Sequence, residues 1–407
     1  MALVSPPKMG AHPTTDSSET FDAPTSAVDV AIVGAGIAGL WLANLLERRG
    51  YGCIVLEAGA VGGTQTLASQ GMIHGGLKYA LAGSLTGASE AIAGMPARWE
   101  RCLRGDDEVD LSGLTPLSER YYLFSADSRM GRLAAFFASH ALRGRITRLE
   151  RHDYPAALAH PQFHGVVYAL NDFVLDPEAL VAILYAGCAG RVYRHRLTPE
   201  HLVSTDDGIL LQLGGNRLLA RRLLMTAGAG TQPLLDGLGI EAPRMQLRPL
   251  HQVMVRHRYP HPLFAHCLTG IRRPEPRLTI TSHPAGDGWL WYLGGQLATD
   301  GASMDADTLI RHARAELTAC LPWIDWSGAE LSTLRIDRAE PAQSGGRRPD
   351  QAFAEARAGC IVAWPTKLSL VPDLGDRVLT LLPPPRAPSP PELDLPRPAV
   401  GQPPWCT

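Results

Sequence analysis

Gly34, Gly36 and Gly39 stand in the run V-D-V-A-I-V-G-A-G-I-A-G-L, residues 28 to 40, and Glu57 follows about 20 residues later. Glycines at this spacing suit a ligand that carries a pyrophosphate. The first permits a tight turn, the second lets the backbone approach the phosphates, and the third lets the following helix pack closely on the preceding strand. A helix beginning near Ile37 and Ala38 offers N–H groups and a positive dipole end to the same phosphates. An acidic side chain at 57 accepts ribose hydroxyls and disfavours a 2′-phosphate. The chemistry indicated is dinucleotide binding.

The elements that must position these residues occur in order. A β-branched run precedes Gly34, and Leu40, Ala43, Leu45 and Leu46 give the next helix an apolar side. Gly50 is placed to end that helix, and Gly52 to Leu56 reads as a second strand that delivers Glu57. Further on, A-R-R-L-L-M-T-A-G-A-G, residues 220 to 230, is another apolar strand ending in small residues, among them Ala227 and Gly228. In G-R-V-Y-R, residues 190 to 194, Val192 is a candidate to flank an adenine.

The 407 residues, 45% hydrophobic and 19% charged, can bury a large core, and a formal net charge of -2 gives no reason to expect nucleic acid or an anionic membrane as the main partner. A small-molecule substrate fits better. Seven cysteines without a C-x-x-C pair argue against a disulfide framework and read as reduced thiols in a cytoplasmic protein. Residues 1 to 27 look like a mobile tail with no signal peptide, and no apolar run suggests a membrane span, although peripheral membrane contact stays open. From about Pro383 the proline-rich sequence is expected to be extended and solvated, and such tails suit partners that bind extended segments.

The chain resembles the D-amino-acid oxidase superfamily of flavoproteins over approximately residues 28 to 382. The 220 to 230 segment is similar to that family's distal motif, a strand that returns beside the FAD site about two hundred residues after the first. The segment E-A-G-A-V-G-G-T-Q-T-L-A-S-Q-G-M-I-H-G-G-L-K-Y, residues 57 to 79, is similar to FAD-dependent glycerol-3-phosphate dehydrogenases and L-2-hydroxyglutarate oxidases through Ile73, His74, Gly75, Gly76, Leu77 and Tyr79, with Lys78 where the glycerophosphate enzymes have arginine. The resemblance implies FAD as cofactor, with Ser69, Gln70, Gly71 and Met72 alongside the ribityl chain and isoalloxazine. Ala58, Gly63 and Thr64 are further expected contacts.

It also implies an α/β architecture: a Rossmann-like FAD-binding domain with a parallel sheet (28–80, 150–242 and 335–382), interleaved with an antiparallel-sheet α+β substrate domain (81–149 and 243–334). Gln246 to Arg256, Leu278 to Ser282 and Trp289 to Leu297 read as strands of the latter, while Ser89 to Leu103 and Arg129 to Leu142 read as helical. Asp176 is a plausible helix cap. The closing segment 360 to 378 resembles the family's last strand, turn and helix, with Thr366, Lys367 and Leu368 at the flavin and a helix starting near Lys367.

For the chemistry itself, His74 and His251 are the candidate bases, since an imidazole titrates near neutral pH. Either residue has an alternative: His74 as a cofactor or backbone partner, His251 as a core histidine. An anionic substrate requires a cation; Lys78, Arg256, Arg335 and Arg338 are available, with Lys78, Arg335 and Tyr292 as the expected substrate contacts. Trp291 and Tyr292 alternate, so one faces the pocket and the other faces away. His257, His261, His266 and Cys267 match no zinc frame, and no metal is expected.

These features together predict an FAD-dependent dehydrogenase or oxidase that passes a hydride to flavin N5 and is re-oxidised by an unidentified acceptor. The I-H-G-G-L-K-Y segment, residues 73 to 79, tilts the substrate towards a hydroxy acid or polyol phosphate. An amine or amino-acid oxidase is the nearest alternative, and a flavoprotein acting on an RNA or protein partner a more distant one.

Overall fold

The apolar run Ser26–Val33 forms the central strand of an eight-stranded sheet in a computed structural model that describes residues 26–76, 91–125, 146–268, 276–286, 288–386 and 389–406. Lys78, with Leu77 and Tyr79, and the expected helix over 129–142 lie outside the described residues. On one side of Ser26–Val33 the strand Cys53–Glu57 runs parallel, with Val30 opposite Cys53, and Val192–Arg194 follows it, with Val55 opposite Val192. On the other side Asn216–Met225 returns parallel, in register from Ser26 opposite Leu218 to Val33 opposite Met225. Cys360–Trp364 is parallel to that strand, and Phe353–Arg357 folds back antiparallel at the edge.

All of these parallel strands point their C-terminal ends the same way, so the loops after Val33, Glu57, Met225 and Trp364 gather at one end of the sheet. The helix Ile37–Arg48 packs Leu40, Trp41, Leu42, Leu45 and Leu46 into the core, where Trp41 and Trp99 lie 4.9 Å apart. Asp176 caps the helix Pro177–Ala186 by accepting from Glu178 N–H at 3.1 Å.

A second eight-stranded sheet runs Glu330–Pro341, Met245–Arg256, Gly288–Gly294, Leu278–Ala285, Ala265–Cys267, Tyr121–Ser125, Val166–Leu170 and Ile146–Arg148. Every pairing in it is antiparallel except that of Ala265–Cys267 with Tyr121–Ser125. The fold is thus an α/β Rossmann-like domain interleaved with a substrate-domain sheet. Between them sits the two-stranded ribbon of Met72–Ile73 with Phe173–Val174.

Three sequence expectations are corrected. The strand expected to reach Leu297 ends at Gly294, because Gly295 adopts φ 77° and the chain turns into the helix Gln296–Asp300. The closing helix runs Val371–Leu381; Lys367 itself is extended, and one 3₁₀ turn, Leu368–Leu370, intervenes. The proline-rich tail carries no helix, and although many of its residues are exposed it is docked rather than free: Leu393 and Trp405 are each 5% exposed, and the tail lies along both domains. Among the described residues no helix is long and apolar enough to cross a membrane.

Candidate active site

At the gathered strand ends, Gly34 turns the chain at φ 99°. A Cβ there would stand 2.8 Å from Ala227 Cα and 2.9 Å from the Thr226 carbonyl, so the turn and the returning strand touch through a glycine. Gly39 lies against the Gly34 carbonyl with no room for any side chain. Thr226 Oγ1 donates to the carbonyls of Val33 and Gly34 at 2.9 and 3.1 Å, which fastens the same corner. Gly36 precedes the helix without a side-chain cap, and the N–H of Ile37 donates to Thr66 Oγ1 at 3.0 Å. Glu57 accepts from Ala35 N–H at 2.6 Å through Oε2 and from Gly59 N–H at 2.8 Å through Oε1.

Ala58, Gly63 and Thr64 lie on the loop from Glu57 to Thr66, where Thr64 takes φ 64°. Val192 is buried on the edge strand next to Val55, while Ala227 and Gly228 end the returning strand. The glycine turn, the acidic residue beyond the second strand and the edge strand Val192–Arg194 therefore share one end of one sheet.

Between this end and the second sheet lies a cavity of about 410 Å³. Ser69, Gln70, Gly71, Met72 and His74 form one wall, and Lys367 and Leu368 contribute beside them. Gly71, at φ 67°, has no space for a Cβ beside the Leu175 carbonyl, so this wall of the cavity is pressed onto the chain that precedes Asp176. The backbone N–H of His74 donates to Ser369 Oγ at 2.9 Å, which ties this wall to the closing segment. Lys367 is 6% exposed and donates through Nζ to the carbonyls of Pro349 and Asp350 at 3.2 and 3.1 Å. Thr366, at φ 60°, turns its hydroxyl to the Gln351 carbonyl.

The opposite wall comes from the second sheet, and strand parity decides who reaches it. Arg248, Leu250 and Gln252 face the cavity, as do Ile336 and Arg338 on the paired strand. His251 and Arg335 lie opposite each other in that pairing, on the other face. His251 is buried with Nδ1 at 3.2 Å from both the Gly301 and Met304 carbonyls, and Arg335 donates to the carbonyls of Ala302 and Met304. The structure thus does not bring His251 or Arg335 to the cavity. Tyr292 is the member of its pair turned towards it: its hydroxyl donates to Ala68 O at 3.0 Å and lies 2.9 Å from Gln252 Oε1, and burial pushes the phenol's pKa up. Trp291 faces the far side, edge-on to His257.

Sequence reasoning missed several cavity residues. Asp172 accepts from Gly75 N–H at 2.9 Å, and His266 lies 3.0 Å from Thr279 Oγ1 and 4.7 Å from the Tyr121 ring. Gln252 follows the favoured histidine by one position, and Arg248 and Arg348 also line the space. The alternation about His251 was the available signal, but its phase was not readable without a partner strand. His266 stands at the cavity while His257 packs among aromatic rings. Among the described residues no three His, Cys, Asp or Glu side chains gather as metal ligands.

The donor set fits FAD. The cradle around Gly34, Gly36 and Gly39 admits backbone approach, Glu57 stands at the ribose position of the fingerprint, and the cavity continues from the same strand ends into the second domain. A family model described as FAD dependent oxidoreductase (DAO) matches residues 29–357. A probable FAD-dependent oxidoreductase of Pseudomonas aeruginosa is 46% identical over 387 residues, covering 93% of this chain and 97% of that protein. The crystal structure of an FAD dependent oxidoreductase from the same organism superposes with a TM-score of 0.78 at 40% identity, over 94% of this chain and 99% of that one. More distant folds include glycine oxidase from Geobacillus kaustophilus (TM-score 0.60, 18% identity, 88% and 94% coverage) and L-alpha-glycerophosphate oxidase from Mycoplasma pneumoniae (TM-score 0.64, 12% identity, 91% and 96% coverage). This chain belongs to the DAO family of FAD-dependent oxidoreductases.

Proposed function

We propose that the enzyme oxidises a small amine or amino acid that carries a carboxylate, taking a hydride from the carbon bound to nitrogen. Bound FAD supplies the hydride acceptor. The observation that carries this reading is Arg338. It lines the cavity, and its buried Nε has no hydrogen-bond partner among the described residues. Arg248, directly opposite it in the paired strands, is neutralised by Glu340 at 2.9 Å. The Arg338 guanidinium thus faces the cavity outside that ion pair, and a substrate carboxylate matches its planar donor set. Lys78 lies outside the described residues, and Tyr292 acts by holding Gln252 from beneath.

The sequence tilt towards C–O oxidation gives way for a stated reason. An alcohol needs a base for its hydroxyl proton as hydride leaves, whereas a neutral amine carries its own lone pair. With His251 turned to backbone carbonyls, one of the two expected bases is gone. The fold shared with glycine oxidase is consistent with an amine substrate. His74 and His266, both on the cavity wall, are what favours the second reading, a hydroxy acid or polyol phosphate with an imidazole as base. The test compares a reactive amino acid with its amide in wild type and Arg338→Met. Loss of the cation is expected to raise KM for the acid about 10- to 100-fold, the size of a charge-assisted hydrogen bond, and to leave the amide unaffected. Equal effects on both would rule the carboxylate contact out.

A further inference from the structure

Residues 389–406 lie outside the conventional dinucleotide fold, yet they touch its edge strand Val192–Arg194, the loop after Glu57 and the second sheet in turn. The N–H of Leu393 donates to Tyr193 Oη at 3.1 Å, and the N–H of Arg194 donates to the Pro396 carbonyl at 2.7 Å. Arg397 donates to the Val192 carbonyl at 2.9 Å and lies 4.0 Å over the Tyr193 ring. Next, Val61 N–H donates to the Ala399 carbonyl and Gly401 N–H to the Val61 carbonyl, each at 2.9 Å. At the far end Arg256 donates to the Trp405 carbonyl, and the Trp405 ring stacks on His283 at 4.1 Å and lies 5.5 Å from Tyr292. One extended segment therefore joins the adenine-side strand, the loop after Glu57 and the roof of the cavity.

We propose that this segment is a clasp that retains FAD. Its first contact, Val192–Arg194, is the edge strand beside Cys53–Glu57. Its second, Val61, belongs to a loop whose Gly62 N–H donates to the Ala35 carbonyl inside the glycine turn at 2.8 Å. Its third, Trp405, backs Tyr292, whose hydroxyl holds Ala68 and Gln252 at the cavity. A dinucleotide running from the glycine turn into the cavity would lie between these three parts, and its departure would require them to separate. The clasp opposes that separation. Its proline content serves the same end, because residues with preset φ lose less entropy on docking than a free chain would.

The test uses the full-length protein and needs no substrate, so its failure is distinct from failure of the amine reading. Gly401→Val unseats the middle contact, since a Cβ there would stand 2.8 Å from Leu67 Cδ1 and 3.0 Å from the Val61 carbonyl. Trp405→Ala removes the roof contact. FAD affinity and release are read from flavin fluorescence on mixing with apoprotein and on dilution of holoprotein, with thermal melting of each apoprotein alongside. Both variants should raise the FAD Kd at least tenfold, about 1.4 kcal/mol, mainly through faster release. By reciprocity, saturating FAD should slow cleavage after Glu392 by a glutamate-specific protease in the wild-type protein, a readout that holds even where a variant fails to fold. Unchanged FAD release in the variants, or cleavage after Glu392 indifferent to FAD, would overturn the clasp.

Discussion

Gly39 rests directly on the carbonyl oxygen of Gly34, so the first helix of the dinucleotide fold is seated on the turn that precedes it with no space for a methyl group. Gly39→Ala should therefore push the helix off the turn and yield a protein that purifies without flavin colour. The obstacle is backbone and cannot swing aside as a side chain would. Thr226→Val, which removes only the hydroxyl bonds to Val33 and Gly34, should retain colour and lose about 1 kcal/mol of stability to denaturant.

Glu57 accepts from Ala35 N–H in the glycine turn with one carboxylate oxygen and from Gly59 N–H in its own following loop with the other. Glu57→Gln replaces one acceptor with a donor that faces another N–H. The expected result is an FAD Kd raised about 10- to 100-fold in a fluorescence titration of apoprotein, with secondary structure intact by circular dichroism.

His251 and Arg335 hold the backbone at Gly301–Met304 and do not reach the cavity. Arg335→Ala should cost about 1 kcal/mol in denaturant unfolding and leave KM unchanged, since its guanidinium serves carbonyls on the far face of the sheet. A KM increase matching that of Arg338→Met would contradict the assignment of the two faces.

Burial lowers the pKa of His257 to about 4 and of His283 to about 3, so both are neutral in the folded protein and protonate more readily once unfolded. The unfolded state then binds more protons below the ordinary imidazole range, and stability falls as pH drops from about 6.5 towards 4. Each histidine contributes a slope of up to about 1.4 kcal/mol per pH unit in that window. Denaturant midpoints measured at pH 7 and pH 5 should converge when His257 is replaced by Asn.

The dinucleotide half was legible because its signal is local: three glycines, a short helix and an acidic residue within 30 positions, Val28 to Glu57. The returning strand was legible in part: residues 220 to 230 read as an apolar strand ending in small residues, and the strand runs Asn216–Met225. The cavity's second wall was not. Whether Arg335 or Arg338, His251 or Gln252, looks inward depends on the register of a twelve-residue pairing with a strand about 80 residues away. Thr66 caps the first helix from 29 positions on, a tertiary contact without a sequence mark. In the tail, Leu393 and Trp405 stand in a proline-rich stretch whose few apolar residues keep no sustained periodicity, so nothing announced that they are buried.

The most direct measurement mixes holoprotein anaerobically with matched panels of amino acids, amines, hydroxy acids and polyol phosphates and follows the flavin's visible absorbance. The account predicts bleaching by a carboxylate-bearing amine and none by its hydroxy counterpart. Bleaching by the hydroxy acid or polyol phosphate alone would contradict it.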